Sequence, residues 1–331
     1  MKRIITALLV AVCVSMSAVG LVGCKKGDPD TIRINEVTHS VFYAPLYLAI
    51  NLGFMEEENI TIDLAAAEGS NTSMATLLSN NCDIALAGPE TAVYVADGEG
   101  SNVPVVFGQL TKRDGSFLVS KTQIDNFSWN TQLKNKTVIA GRAGGLPAMT
   151  FEWVVNSFGM YRNNGIILDT DTSFAMQVPT FEATDAEFCT MFEPTATEFE
   201  KAGKGYIVAS VGEQSGEIPY TCFIAKKDYL SNNSKKIQGF LRAIKKAYTY
   251  IQTEEPSKVA EGLKKSFPST SLESLEYAVT SYKKIDAWMS TPAMTESSFE
   301  RLISVLKNSS DYDGDVKFSD IVDNTYAYSV A

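Results

Sequence analysis

Three residues able to contact a planar ligand follow the first segment that reads as a strand. Phe42 and Tyr43 could stack on a flat ring, and the imidazole of His39 could add a hydrogen bond. His39 is the only histidine among 331 residues. The chain therefore cannot build a multi-histidine metal site, and Ser-His-Asp or Cys-His catalysis would have to use this one base. The alternative reading places Phe42 or Tyr43 in the core beneath the first helix.

Polar residues also follow the second and third predicted strands. Glu68 precedes Ser70 and Asn71, either of which is predicted to cap a helix whose free N–H groups could hold a ligand oxygen. Gly88 and Glu90 follow the third strand in the same way, and an acidic first turn suits the helix dipole. Capping and dipole effects would explain these residues without a ligand, so both readings stay open.

The second half of the chain contributes a glycine-rich turn, an acid and a tryptophan. Gly144 and Gly145 would let backbone approach a ligand closely, and Arg142 could clamp an anion or pair across the protein. The turn lacks the Lys-Ser/Thr of a phosphate-binding P-loop. Glu193 stands just before a predicted helix, where it could accept hydrogen bonds from a ligand or simply complement the dipole. Trp153 could contact a ring or belong to the core.

The charges of these candidates favour one ligand class. If Glu68, Glu90 and Glu193 all line one cleft, an oxyanion beside Arg142 would meet three carboxylates. We therefore predict a neutral or cationic planar heterocycle, with an amino-pyrimidine as the leading example.

The amino terminus predicts export and lipidation. Residues 1–23 combine a basic start, an apolar run and the sequence Leu21-Val22-Gly23-Cys24, which matches a bacterial lipobox. We expect cleavage before Cys24, lipid on its thiol, and a polar tether over residues 24–30. An uncleaved anchor helix is the alternative, and either reading places the body outside the cytoplasm. The net charge of −10 argues against binding to nucleic acid.

Three cysteines remain in the predicted mature chain besides the lipidated one. Cys82, Cys189 and Cys222 have apolar neighbours, which is typical of buried free thiols. At most one disulfide is possible, and none is needed.

Strands and helices alternate from residue 32 onward, which predicts an α/β fold with mostly parallel sheets. Strands are expected at residues 32–37, 60–64, 83–87, 103–107, 116–119, 137–140, 175–178, 206–210 and 220–225. Helices are expected at residues 43–52, 72–79, 148–158, 183–188, 237–251, 272–289 and 296–306, with others beginning near residues 89 and 194. Breaks near residues 111–115 and 212–219 predict two lobes, one from residues 31–113 and 218–331 and the other from residues 114–217, with the ligand held between them.

Several segments together resemble a known family. They are EVTHSVFYAPLYLA (Glu36–Ala49) with LGFMEEE (Leu52–Glu58), CDIALAGPE (Cys82–Glu90), GRAGGLP (Gly141–Pro147) and FEPTAT (Phe192–Thr197). In order and spacing they resemble the solute-binding lipoproteins of ABC importers, in the group that binds sulfonates, taurine, nitrate or thiamin-pyrimidine precursors (SsuA/THI5-like, NMT1 family). The resemblance implies a two-lobed clamshell of the type II periplasmic-binding-protein class. The cysteine-rich iron motif of the related fungal pyrimidine synthases is missing from the sequence.

The resemblance also implies a function. We expect a non-enzymatic binding protein, without cofactor or metal, that is held on the bacterial cell membrane by the lipid on Cys24 and delivers a small molecule to an ABC permease and its ATPase. A monomer is expected. Binding of alkanesulfonate, taurine or nitrate is the main alternative. A dehydratase of menaquinone biosynthesis and a metal-scavenging lipoprotein with an all-carboxylate site stay open as further alternatives.

Overall fold

The computed structural model describes residues 30–98, 103–309 and 312–330. Residues Ile32–Ala331 form one compact unit. The predicted signal peptide, Cys24 and most of the tether lie outside the described residues. Within the described ranges, no helix has both the length and the apolar character needed to cross a membrane.

The strands belong to two sheets. In chain order they are β1 (Thr31–Glu36), β2 (Thr61–Ala66), β3 (Ile84–Ala87), β4 (Val105–Thr111), β5 (Ser116–Ser120), β6 (Thr137–Ile139), β7 (Tyr161–Arg162), β8 (Gly165–Asp169), β9 (Phe188–Phe192), β10 (Tyr206–Ser210) and β11 (Thr221–Ala225). The first sheet has the order β2-β1-β3-β11-β4 and the second has the order β10-β5-β9-β6-β8-β7.

Helices flank both sheets. They are α1 (Ala44–Asn51), α2 (Ser70–Leu78), α3 (Glu90–Asp97), α4 (Leu146–Asn156), α5 (Gln177–Ala183), α6 (Thr195–Lys201), α7 (Val211–Ser215), α8 (Lys227–Asn232), α9 (Ser234–Thr253), α10 (Pro256–Leu263), α11 (Leu272–Lys284), α12 (Glu296–Asn308), α13 (Phe318–Ile321) and α14 (Thr325–Tyr328). Short 3₁₀ turns occupy Val41–Tyr43, Glu56–Glu58 and Phe174–Met176. The α/β class predicted from the alternation of elements is confirmed.

Each sheet contains a strand that reverses the common direction. In the first sheet β1 and β3 are parallel, whereas β11 runs antiparallel to both β3 and β4. In the second sheet β6, β8 and β9 are parallel, whereas β5 is antiparallel to β9 and β10. Both reversed strands follow a crossover between the sheets, so the chain enters each of them from the opposite side. The sheets are mostly parallel for this reason but not entirely so.

The elements predicted between residues 175 and 188 are wrong. In place of a strand at 175–178 and a helix at 183–188, the chain forms a 3₁₀ turn and then α5, and strand β9 begins at Phe188. Gln177 and Phe181 are buried four residues apart, which is the spacing of one helix face. Strand β9 is an interior strand with a neighbour paired on each side, so its residues are mostly apolar and do not alternate with exposed polar ones.

Two crossovers lie side by side where the chain passes between the sheets. The amide of Ile218 donates to the carbonyl of Lys112, and the amide of Tyr220 donates to that of Thr111. Asp114 is fully buried there, and its carboxylate accepts hydrogen bonds from the amide and hydroxyl of Ser116 at 2.7 and 2.6 Å and from the Tyr220 hydroxyl at 2.9 Å. The crossovers are thus tied together as one connection.

The three described cysteines are free and buried, as predicted. Burial raises the pKa of the Cys82 thiol to about 11 and that of Cys189 to about 12, so both stay in the unreactive protonated form.

Candidate functional site

A cavity of about 310 Å³ lies where the two sheets contribute their carboxyl ends. Val37 follows β1, Glu68 follows β2, Gly88 follows β3 and Arg142 follows β6. Tyr220 belongs to the same wall because β11 runs in reverse and begins at that edge. The wall consists of Val37, Thr38, Ser40, Phe42, Tyr43, Ala67, Glu68, Gly69, Ser70, Gly88, Gly141, Arg142, Gly145, Leu146, Pro147, Ser173, Phe174, Ala175, Gln177, Thr190, Phe192, Tyr220 and Thr221.

Aromatic rings from distant parts of the chain form one side of this cavity. Phe42 is buried and packs edge-on against Phe192 and Tyr220, with ring centroids 5.6 and 5.8 Å apart. Phe174 packs against Phe192 at 5.7 Å and is 49% exposed, so it lies at the rim. Tyr43 is also buried, which raises the pKa of its hydroxyl and keeps it neutral. These rings suit a ligand with a flat or apolar body.

Arg142 is the cation of this wall. Its guanidinium reaches Gly69, where a Cβ atom would lie 3.5 Å from Nη2, so the side chain spans from the second sheet's loops to the first's. Arg142 is half-buried, and within the described residues it has no ion pair. A guanidinium in this state is a ready partner for a carboxylate, sulfonate or other oxygen acceptor.

Backbone N–H groups add to the positive character of the wall. Helices α2 and α4 begin at Ser70 and Leu146, and both residues line the cavity. The predicted cap is wrong, because Gly69, with φ of 114°, is the N-cap of α2 and Ser70 is already its first helical residue. Ser70 instead accepts a hydrogen bond from the amide of Gly88 at 3.3 Å. Asn71 is exposed and does not line the cavity.

His39 lies beside the cavity but is not part of its wall. Its Nδ1 is 2.9 Å from Glu36 Oε1 and its Nε2 is 2.9 Å from the carbonyl of Ser266. The ring also packs on Phe267 at 4.5 Å. Because a carbonyl and a carboxylate both accept, the geometry favours the imidazolium, which donates from both nitrogens. The hydrogen bond to Glu36 accordingly raises the pKa of His39. His39 therefore joins the loop after α10 to the end of β1 through two hydrogen bonds.

The two hydrogen bonds of His39 predict a stability that depends on pH. The contribution of His39 is fully present below its unfolded pKa of about 6.5 and is lost as pH rises through the higher folded value. Because the ring is partly exposed, we expect His39→Gln to cost about 1 kcal/mol at pH 6 and almost nothing at pH 9. Urea unfolding of both proteins between pH 5.5 and 9 measures the difference. If the free energies of unfolding of the two proteins change in parallel with pH, the hydrogen bonds of His39 do not contribute as described.

Glu90 and Glu193 are buried, and neither lines the cavity. The carboxylate of Glu193 accepts from the amide and hydroxyl of Thr197 at 3.0 and 2.8 Å, which caps the start of α6. Glu90 is 1% exposed and lies behind Gly88. Of the three carboxylates expected to face Arg142, only Glu68 lines the wall. The charge argument against an anionic ligand loses most of its basis as a result.

The remaining candidates have structural surroundings. Trp153 packs under the guanidinium of Arg301, 5.8 Å from the ring centroid, and Gly144 has a positive φ of 69° in open space. Seven of the predicted site residues line the cavity: Phe42, Tyr43, Glu68, Ser70, Gly88, Arg142 and Gly145. The other six lie outside the wall: His39, Asn71, Glu90, Gly144, Trp153 and Glu193.

Sequence reasoning missed several residues of the wall. Gln177 falls within the strand expected at residues 175–178 and Tyr220 begins the strand expected at residues 220–225, whereas Phe174 and Thr190 belong to no expected element. A usable signal exists for Phe174, because it stands in the loop after β8, at the same sheet edge as the loop with Arg142. Among the described lining residues there is no histidine or cysteine.

Two α/β sheets joined by paired crossovers, with a cavity at the carboxyl ends of their strands, define the periplasmic-binding-protein fold. The chain belongs to the NMT1/THI5-like family, whose model matches residues 41–258. The resemblance found in the sequence is thereby confirmed.

Individual relatives agree with this assignment. YtlA of Bacillus subtilis (strain 168), which is named as a binding protein, is 37% identical to this chain over 312 residues. The aligned region covers 94% of this chain and 93% of YtlA. The alkanesulfonate-binding protein SsuA from Xanthomonas axonopodis pv. citri, bound to MOPS, has a TM-score of 0.71 at 13% identity, covering 89% of this chain and 98% of that one. The ligand-binding component of an ABC-type import system from Staphylococcus aureus has a TM-score of 0.72 at 14% identity, covering 91% and 99%.

Proposed function

We propose that the protein is the lipid-anchored, extracytoplasmic substrate-binding component of an ABC importer, and that it captures one small organic solute between its two lobes. The observation that carries this proposal is a cavity with an aromatic wall and the guanidinium of Arg142, which has no ion pair among the described residues. Family membership and the import-system neighbours support it. A wall without histidine or cysteine among its described residues favours binding over nucleophilic catalysis.

The aromatic rings favour a planar heterocycle as the solute. A flat ring could lie against the aromatic side formed by Phe42, Phe174 and Phe192, and the hydroxyl groups of Ser40, Thr190 and Thr221 offer hydrogen bonds to its substituents. An amino-pyrimidine thiamin precursor fits this description, with Arg142 facing a ring nitrogen or an oxygen substituent.

An alkanesulfonate is the second candidate, and the unpaired state of Arg142 favours it. A sulfonate would pair with the guanidinium and the N–H groups at the starts of α2 and α4, and its alkyl chain would contact the rings. The neighbour bound to MOPS shows that its own fold accepts a sulfonate attached to a saturated ring system.

A thermal-shift screen of the full-length protein in detergent tests the ligand class. The panel is 4-amino-5-hydroxymethyl-2-methylpyrimidine, pyrimidine-5-carboxylate, 1-butanesulfonate, taurine and nitrate. A ligand present at 100 times its Kd adds about 2.7 kcal/mol to the free energy of unfolding. Stabilisation by the pyrimidines supports the first candidate, and stabilisation by butanesulfonate or taurine alone supports the second. No response to any compound would contradict both.

Labelling with a radioactive fatty acid tests the anchor. The full-length chain should incorporate label and the Cys24→Ala variant should not. Label that persists in the variant would contradict lipidation at Cys24.

A further inference from the structure

A buried carboxyl group stands directly behind the cavity wall. Glu90 is the first residue of α3 and is 1% exposed, and its Oε2 atom has no hydrogen-bond partner among the described residues. Leaving such an oxygen unpaired in the interior costs free energy, most of all when it carries charge. An orphaned oxygen at this depth therefore indicates an uncharged carboxylic acid or a role that depends on the ligand.

The position of the carboxyl connects it to the ligand space. Gly88 lines the cavity, and a Cβ atom on it would lie only 1.9 Å from Glu90 Oε2. The carboxyl thus fills the side-chain space of a wall glycine and lies directly behind it. Ser70, also in the wall, hydrogen-bonds to the amide of the same glycine.

The charges around Glu90 are few. Arg142 is the cation that acts on it, and the other titratable groups that face it are Tyr43, Tyr220 and Cys222. Burial raises the pKa of all three, so they stay neutral. Burial likewise raises the pKa of Glu90, to about 7, against the smaller opposing effects of its own backbone N–H, of Arg142 and of the Ser70 hydroxyl. Protonation of Glu90 therefore changes the balance of charge that a ligand beside Arg142 meets.

We propose that Glu90 couples capture of an anionic solute to uptake of one proton. When Glu90 is ionised, it shares the attraction of Arg142 and repels the solute's negative group through the thin wall at Gly88. When Glu90 is protonated, it no longer attracts the guanidinium, and Arg142 can pair fully with the solute. Bound anion and bound proton stabilise each other by linkage. This inference rests on the proposed function and specifies that the solute carries a negative group.

The expected effects are measurable. If the bound anion raises the pKa of Glu90 by about one unit, affinity falls about tenfold between pH 6 and pH 9. At pH 7, Glu90 is ionised in roughly half of the unliganded molecules, so binding should take up a few tenths of a proton.

Isothermal titration calorimetry of the full-length protein in detergent tests the coupling. The probes are 1-butanesulfonate and pyrimidine-5-carboxylate, an aliphatic and a planar anion, each measured at pH 7 in two buffers with different ionisation enthalpies. A heat that depends on the buffer reports proton uptake. The measurement on unaltered protein does not depend on any variant folding.

Variants then assign the proton. Glu90→Gln keeps the shape of the side chain and cannot titrate. The variant should therefore lose the pH dependence of affinity that Glu90 contributes, and its proton uptake at pH 7 should fall to near zero. Glu261→Gln, at an exposed ion pair with Lys258, is the control and should behave as the unaltered protein. Because His39 also titrates, the difference between the unaltered protein and Glu90→Gln is the informative quantity.

The outcomes separate the two proposals. Uptake that disappears in Glu90→Gln supports the coupling. Binding of either anion without uptake, or with uptake as large in Glu90→Gln as in the unaltered protein, overturns the coupling and leaves the proposed function standing. Stabilisation by the uncharged 4-amino-5-hydroxymethyl-2-methylpyrimidine alone in the thermal-shift screen also overturns it, because the solute then has no negative group. Failure of every probe overturns both.

Discussion

Replacing Arg142 with glutamine is expected to weaken binding of an anionic solute at least about a hundredfold, since charge-assisted hydrogen bonds to a desolvated anion contribute several kcal/mol. Glutamine keeps part of the length and polarity of the side chain but supplies no charge. The free energy of unfolding should change little, because Arg142 has no ion pair to lose among the described residues. Calorimetric titration with 1-butanesulfonate measures the loss.

Arg242→Gln is the matched control. Arg242 is an exposed arginine that pairs with Glu58 at 2.6 Å on the surface, so its loss should leave solute affinity unchanged and cost less than about 1 kcal/mol of stability. Equal affinities of the Arg142 variant and the unaltered protein for butanesulfonate would show that the guanidinium does not contact the solute.

Replacing Gly88 with alanine is expected to destabilise the protein by about 3 kcal/mol, because the new methyl group overlaps the buried carboxyl of Glu90, which must shift within a packed interior. The overlap is with Glu90, whose Oε2 would be 1.9 Å from the added Cβ. Backbone strain does not contribute, since Gly88 is not in the positive φ region. Urea unfolding at pH 6 measures the cost.

A second substitution isolates the cause. In a Glu90→Ala background the space behind Gly88 is vacant, so Gly88→Ala should cost less than about 1 kcal/mol there. A coupling energy of about 2 kcal/mol between the two sites is the expected result of this double-mutant cycle. If Gly88→Ala costs the same in both backgrounds, the carboxyl does not occupy the position described.

Protonation of Glu90 gives the same region a pH signature. A folded pKa raised from 4.5 to about 7 means that stability falls as pH rises from about 4.5 through 7. The group therefore opposes folding above neutral pH, and Glu90→Gln should relieve part of that cost there. This direction is the same as that of His39, so both variants are needed to divide the neutral-pH dependence between them.

The sequence predicted elements best where periodicity was strong. Helix α9 follows the spacing of Ile237, Phe240 and Ile244, all of which are fully buried. Strand β3 follows a short apolar run and is buried along its whole length. The prediction for the region after Phe174 was wrong because a short helix and an interior strand have similar local composition, and periodicity alone does not separate them.

The site was predictable to the level of loops. Parallel strands place the residues that follow them at one sheet edge, which is why Glu68, Gly88 and Arg142 were found from the sequence. The direction of each side chain was not predictable in the same way. Glu90 turns behind Gly88 and Glu193 turns toward Thr197, and both choices depend on where the following helix begins.

The sequence by itself determined the α/β class, the family, the buried free thiols and the loops that supply the cavity, because each follows from local composition, spacing or motif order. Only the tertiary structure decided which side chains meet. Phe42, Phe192 and Tyr220 come together through crossovers about a hundred residues apart in the chain. The unpaired state of Arg142 and the enclosure of Glu90 likewise depend on neighbours from other elements, since burial and charge pairing are properties of the folded chain.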